Sequence, residues 1–111
     1  MKTPGIVRDI HFAVEGARSA QPATVDTLCC GTLGSVELFC EASSILGRSE
    51  LRELALRRLT EVFSAAASRG DYRWNSGKGQ FNLGLFRGQS GVGYTALRRV
   101  DDSLPNVLIW E

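Results

Sequence analysis

The chain has 111 residues, 43% hydrophobic and 23% charged, and its thirteen Lys and Arg against twelve Asp and Glu leave a formal charge of +1. That make-up fits one globular domain with a single core and excludes a disordered or fibrous chain. No basic run exceeds a pair, so nothing calls for nucleic acid; no apolar stretch approaches the roughly 20 residues of a membrane span; and Met1-Lys2-Thr3-Pro4 lacks the apolar run of a signal peptide, so a cytoplasmic location is expected.

Thr3-Pro4 predicts a helix start, the threonine hydroxyl capping and the proline taking the first helical position, where its missing N–H costs nothing. Ile6, Ile10, Ala13, Val14 and Ala17 then fall on one face at helical spacing. Pro22 ends that segment. A second helix is expected near Leu33, after Gly31-Thr32; its apolar residues, Val36, Leu38, Phe39, Cys40, Ala42, Ile45 and Leu46, surround most of the circumference and require burial on more than one side. Gly47 closes this helix, and Ser49 is expected to cap a third, in which Leu51, Leu54, Ala55, Leu59, Val62, Phe63 and Ala66 form a stripe that Gly70 terminates. The segment from Asp71 to Gly88 has no sustained periodicity and reads as a long loop. A short fourth helix follows from about Gln89 to Val100, and after a turn the apolar run Val107 to Trp110 must pack against something.

Two segments echo one another. Leu28-Cys29-Cys30-Gly31-Thr32-Leu33-Gly34 and Leu85-Phe86-Arg87-Gly88-Gln89-Ser90-Gly91 share the leucine and a Gly-x-x-Gly, each where a loop enters a largely apolar helix. Glycines there permit positive φ and close backbone approach, as stacked helical hairpins with crowded inner helices require.

The sharpest chemical feature is Cys29-Cys30-Gly31, two thiols at a loop-to-helix junction. Thiolates at a helix N-terminus are favoured by unsatisfied N–H groups and the dipole, and a turn can splay the backbone enough for both sulfurs to reach one zinc. The same dipeptide is also compatible with buried core cysteines or with a vicinal-thiol redox switch. Three cysteines, two of them adjacent, do not make a regular disulfide framework.

These segments, with Phe81-Asn82-Leu83-Gly84-Leu85-Phe86-Arg87-Gly88-Gln89-Ser90-Gly91-Val92-Gly93-Tyr94 and the ending Leu104-Pro105-Asn106-Val107-Leu108-Ile109-Trp110-Glu111, resemble the C-terminal stretch of class II lanthipeptide synthetases. The cyclase half of those enzymes is similar to the lanthionine synthetase C family. The resemblance implies an all-α fold, a partial α/α toroid of about two helical-hairpin repeats, with residues 1–111 as a single partial domain and Gly31, Gly34, Gly88 and Gly91 as structural turn glycines. It implies zinc as cofactor and Cys29 and Cys30 as two of its ligands. Glu37, one turn into the helix after the Cys-Cys turn, is placed to orient a ligand, although a charge favourable to the helix dipole is the simpler account of it. The implied reaction adds a cysteine thiolate of a precursor peptide to dehydroalanine or dehydrobutyrine made from its Ser or Thr, with the zinc site itself as the catalytic element. No cysteine precedes Cys29, so the third protein ligand would come from an upstream part of a larger or split enzyme.

Arg87 and Trp74 are candidate substrate contacts; Trp74 equally suits pinning its loop to the core, and Arg98 and Arg99 suit a solvated helix face. Cys40 reads as a small core residue and His11, outside any motif, as structural or superficial. The rival function is a helical-repeat interaction fragment without catalysis that self-associates or binds a partner through uncovered apolar flanks.

Overall fold

The computed structural model describes residues 3–20, 23–29, 31–74, 84–85, 88–101 and 103–106. Among them the fold is all-α, with four helices and no strand: α1 Pro4–Ser19, α2 Thr32–Leu46, α3 Ser49–Arg69 and α4 Gln89–Val100. The apolar ending from Val107 to Trp110, like most of the expected 71–88 loop, lies outside the described residues.

Helix α1 starts as the sequence predicts, with Thr3 Oγ1 accepting a hydrogen bond from the Ile6 N–H at 3.2 Å. Its apolar stripe is only partly used. Val14 is fully buried and Ile10 and Ala17 pack against the core, whereas Ile6 is 45% exposed, because α1 meets α2 along one edge only.

Helix α2 is the centre of the packing. Leu33, Val36, Phe39 and Ala42 are buried on several sides, as an all-round apolar helix requires. Gly47 adopts φ 67°, turning the chain so that α3 runs back along α2 and inserts Leu51, Ala55, Leu59 and Val62 into the same core. Full burial of a side chain such as Leu33, Phe39 or Leu51 stabilises the fold by roughly 1.5–3 kcal/mol each relative to exposure. The expected Ser49 cap is not formed: Arg48 occupies the cap position without a side-chain cap bond, and Ser49 is already the first helical residue. Arg48 instead ties the corner to α1, donating to Glu15 at 3.2 Å, to Glu50 at 2.7 Å and lying 3.2 Å from His11 Nδ1, which gives His11 the structural place expected of it.

The sequence echo is a repeat of geometry. A Cβ on Gly34 would stand 2.7 Å from the Leu28 carbonyl oxygen, and one on Gly91 would meet the Leu85 carbonyl oxygen inside 3 Å, so leucine and glycine six positions apart touch in both turns. The Gly91 position also lies 3.4 Å from Leu28 Cβ, which sets the entries of α2 and α4 side by side. Close approach is therefore the property these glycines supply. Positive φ is not: Gly31 has φ −113° and Gly88 φ −137°, ordinary extended values, and the positive-φ glycines among the described residues are the helix-ending Gly47 and Gly70.

Candidate functional site

The loop from Val25 to Gly31 delivers Cys29 to the start of α2. It is held by a set of short-range bonds: Thr32 N–H to the Val25 carbonyl at 3.1 Å, Leu33 N–H to the Asp26 carbonyl at 3.2 Å, and Thr27 Oγ1 to the Cys29 carbonyl at 2.7 Å. Gly34 N–H donates to the Gly31 carbonyl at 3.1 Å. These bonds correct one expectation. The first N–H groups of α2 are consumed by loop carbonyls, so they are not on offer to a thiolate, and what the helix terminus contributes to its surroundings is its dipole.

Asp26 anchors the loop from behind. Its carboxylate, 1% exposed, accepts from the Arg73 backbone N–H at 2.8 Å, from Arg73 Nε at 3.0 Å and Nη2 at 2.7 Å, and from Arg69 at 3.4 Å, while its own N–H donates to the Arg73 carbonyl at 3.0 Å. The end of α3 is thereby locked to the cysteine turn. Next to it Trp74 is buried, donating from Nε1 to the Asp71 carboxylate at 3.1 Å with its ring 5.7 Å from Tyr72, which in turn packs edge-on against Phe63. The indole pins its segment to the core. A groove of about 540 Å³ adjoins the turn, bordered by Gly31, Thr32 and Ser35 on one side and by Arg58, Arg69 and Arg73 on the other.

Of the sequence-predicted site residues, Cys29 is half-buried at the turn, while Cys30 and Arg87 lie outside the described residues. Glu37 is buried in the contact between α2 and α4, hydrogen-bonded to Arg98 and 3.4 Å from Arg99 Nη2. Burial pushes its carboxyl up, against the pull of Arg99 and Arg98. Glu41, one turn on, accepts from Arg98 Nη2 at 3.2 Å and from Asn106 at 3.0 Å. The guanidinium groups of Arg98 and Arg99 are thus the cationic half of a buried network, not a solvated face; their side chains are 7% and 8% exposed. The legible signal was the pair Glu37 and Glu41, four apart on a helix otherwise apolar, a spacing that sets two carboxylates on one face where water is scarce. Asp26 carried no such signal. Cys40 is 7% exposed, as a core residue should be, and burial raises its thiol pKa.

Whether zinc fits here turns on the donors. In kind they fit, since Cys29 offers a soft sulfur in a turn whose backbone is fixed on both sides. In number they fall short: no group of three His, Cys, Asp or Glu able to hold a metal occurs among the described residues. No helix among them is long and apolar enough to cross a membrane.

The model of one protein family, described as lanthionine synthetase C-like protein, matches residues 2–109. No curated protein and no solved structure matches the chain. A family match over nearly the full length agrees with the all-α fold and with the repeated leucine–glycine contact at the entries of α2 and α4, and the chain belongs to the lanthionine synthetase C-like family.

Proposed function

We propose that this chain is the C-terminal part of the cyclase domain of a class II lanthipeptide synthetase, a single partial domain that supplies Cys29 and Cys30 to a zinc site completed by a donor from another part of a larger or split enzyme. The observation that carries the reading is the family match together with the built turn that presents Cys29 at the head of α2. The reaction is addition of a precursor-peptide cysteine thiolate to the β-carbon of dehydroalanine or dehydrobutyrine; the carbon–sulfur bond forms, the carbon–carbon double bond is consumed, and the α-carbon takes up a proton. Bound zinc supplies Lewis acidity that favours the ionised form of a substrate thiol near neutral pH. The chain's own residues fix the turn: Gly31 and Gly34 allow the backbone to close on itself, and Asp26 with Arg73 holds the start of the turn to the segment after α3. The groove beside Gly31 and Thr32 is a place for the peptide to lie.

The test is cyclisation of a dehydrated peptide by the chain supplied with the polypeptide that carries the missing donor. Ring closure leaves mass unchanged, so each unreacted cysteine is counted by alkylation and mass spectrometry. Loss of ring formation in Cys29→Ala and in Cys30→Ala is expected, and parental rates in either would overturn the reading. A second reading, a helical-repeat fragment that self-associates or binds a partner without catalysis, is favoured by Phe12, Leu97 and Val100, which are 81%, 58% and 88% exposed on α1 and α4. A clean monomer by sedimentation at high concentration would remove it.

A further inference from the structure

On the far side of α2 from α1, the buried charges border a cavity of about 340 Å³ lined by Cys40, Glu41, Arg52, Arg98, Arg99 and Asn106, with Ser103 to Pro105 at its rim. The balance of the network is uneven. Arg98 spends its Nε on the Leu104 carbonyl at 3.1 Å and its two terminal nitrogens on Glu37 and Glu41, so each of its three nitrogens has an acceptor. Among the described residues Arg99 reaches Glu37 alone, at 3.4 Å through Nη2, and its buried Nε has no acceptor. Arg52, at the start of α3, borders the same cavity with no hydrogen bond or ion pair to any described residue. Among the described residues three arginines thus stand against two glutamates, an excess of one positive charge around a partly open, polar space of which Arg52 forms the exposed side. A buried guanidinium N–H without an acceptor is a group that proteins rarely leave unmet, and a cleft lined by an excess of positive charge raises the local concentration of anions.

We propose that this cavity is a binding site for a carboxylate, taken between Arg52 and the unpartnered Nε–H of Arg99 with the Asn106 end of the turn beside it. One excess charge suits a monoanion, and a carboxylate offers one oxygen to the Arg99 Nε–H and the other to the Arg52 guanidinium. The site stands apart from the cysteine turn and is independent of the cyclase reading. Its ligand could be borne by a peptide or be a free organic acid, which present the same group.

The test follows the arginine side-chain Nε–H resonances in proton–nitrogen correlation spectra of the whole chain while sodium acetate, then sodium N-acetylglycinate, a monoanion with a peptide-like amide, replaces sodium chloride at constant ionic strength. A saturable shift of the Arg99 and Arg52 resonances is expected with both probes, weakened at least tenfold by Arg52→Ala, an exposed substitution that leaves the core untouched. Tighter binding of N-acetylglycinate than of acetate would assign the site to a peptide-borne carboxylate, and equal binding to a small organic acid. A second variant, Arg99→Lys, removes the orphan N–H and should weaken both probes. Shifts no larger than those in chloride, shifts spread over all arginines alike, or binding unchanged in Arg52→Ala would overturn the proposal.

Discussion

Replacing Asp26 by Asn is the most demanding test of how the cysteine turn is held. The carboxylate accepts four hydrogen bonds, three from Arg73 and one from Arg69, and is itself 1% exposed. A hydrogen bond to a charged group contributes about 1.5–3 kcal/mol, but the Arg73 and Arg69 side chains are 40% and 44% exposed and regain water when released, so their share is discounted. Asparagine keeps one acceptor oxygen and turns an amide N–H₂ toward a guanidinium. The expected loss is about 2–3 kcal/mol, or about 8–12 °C in melting temperature for a chain of this size. Urea unfolding followed by circular dichroism measures it, with iodoacetamide labelling of Cys29 under native conditions as the local readout, expected to quicken as the turn loosens. The double variant with Arg73→Gln should show a coupling of at least about 1 kcal/mol. A loss below about 0.5 kcal/mol, or strict additivity, would refute the assignment of Asp26 as the anchor.

Gly31→Ala and Gly91→Ala should each cost about 1–3 kcal/mol, because a Cβ there meets backbone atoms inside 3 Å, while Gly16→Ala, with nothing within 4 Å in the last turn of α1, should stabilise by up to about 0.5–1 kcal/mol; the same unfolding assay separates them. Glu37→Ala leaves the buried Arg99 without its carboxylate and takes one of the two carboxylates from Arg98, which keeps Glu41, and should cost about 3–5 kcal/mol, much more than Glu53→Ala on the exposed face of α3. Burial raises the Cys40 thiol pKa, so the unfolded chain loses that proton first as pH climbs; stability should therefore decline from about pH 9 toward the folded value, and Cys40→Ala should flatten that limb of a pH–stability profile. Native alkylation at pH 8 should modify Cys29 well before Cys40, as read by peptide mass mapping.

Much of the architecture is legible in short stretches of the chain. Thr3-Pro4 predicts the α1 start because cap chemistry acts over three residues, and Gly47 and Gly70 predict the ends of α2 and α3 because a left-handed residue is a local demand. The apolar circumference of α2 foretells its central place. Ser49 fails as a cap for an equally local reason, since the chain leaves Gly47 already directed into α3 and places Arg48 at the cap.

The helices and the paired Gly-x-x-Gly turns could be read along the chain because both depend on periodicity and spacing within a few residues, and the family because motifs along most of its length agree in order. Which charges are buried, and with whom, followed from packing alone. Glu37 pairs with Arg98 and Asp26 with Arg73 across long stretches of chain, and an ion pair is formed by proximity in space, which no local pattern encodes. The use of the Gly31 and Gly91 turns for close approach was settled in the same way, by the backbone that each glycine meets when α2 and α4 are brought side by side.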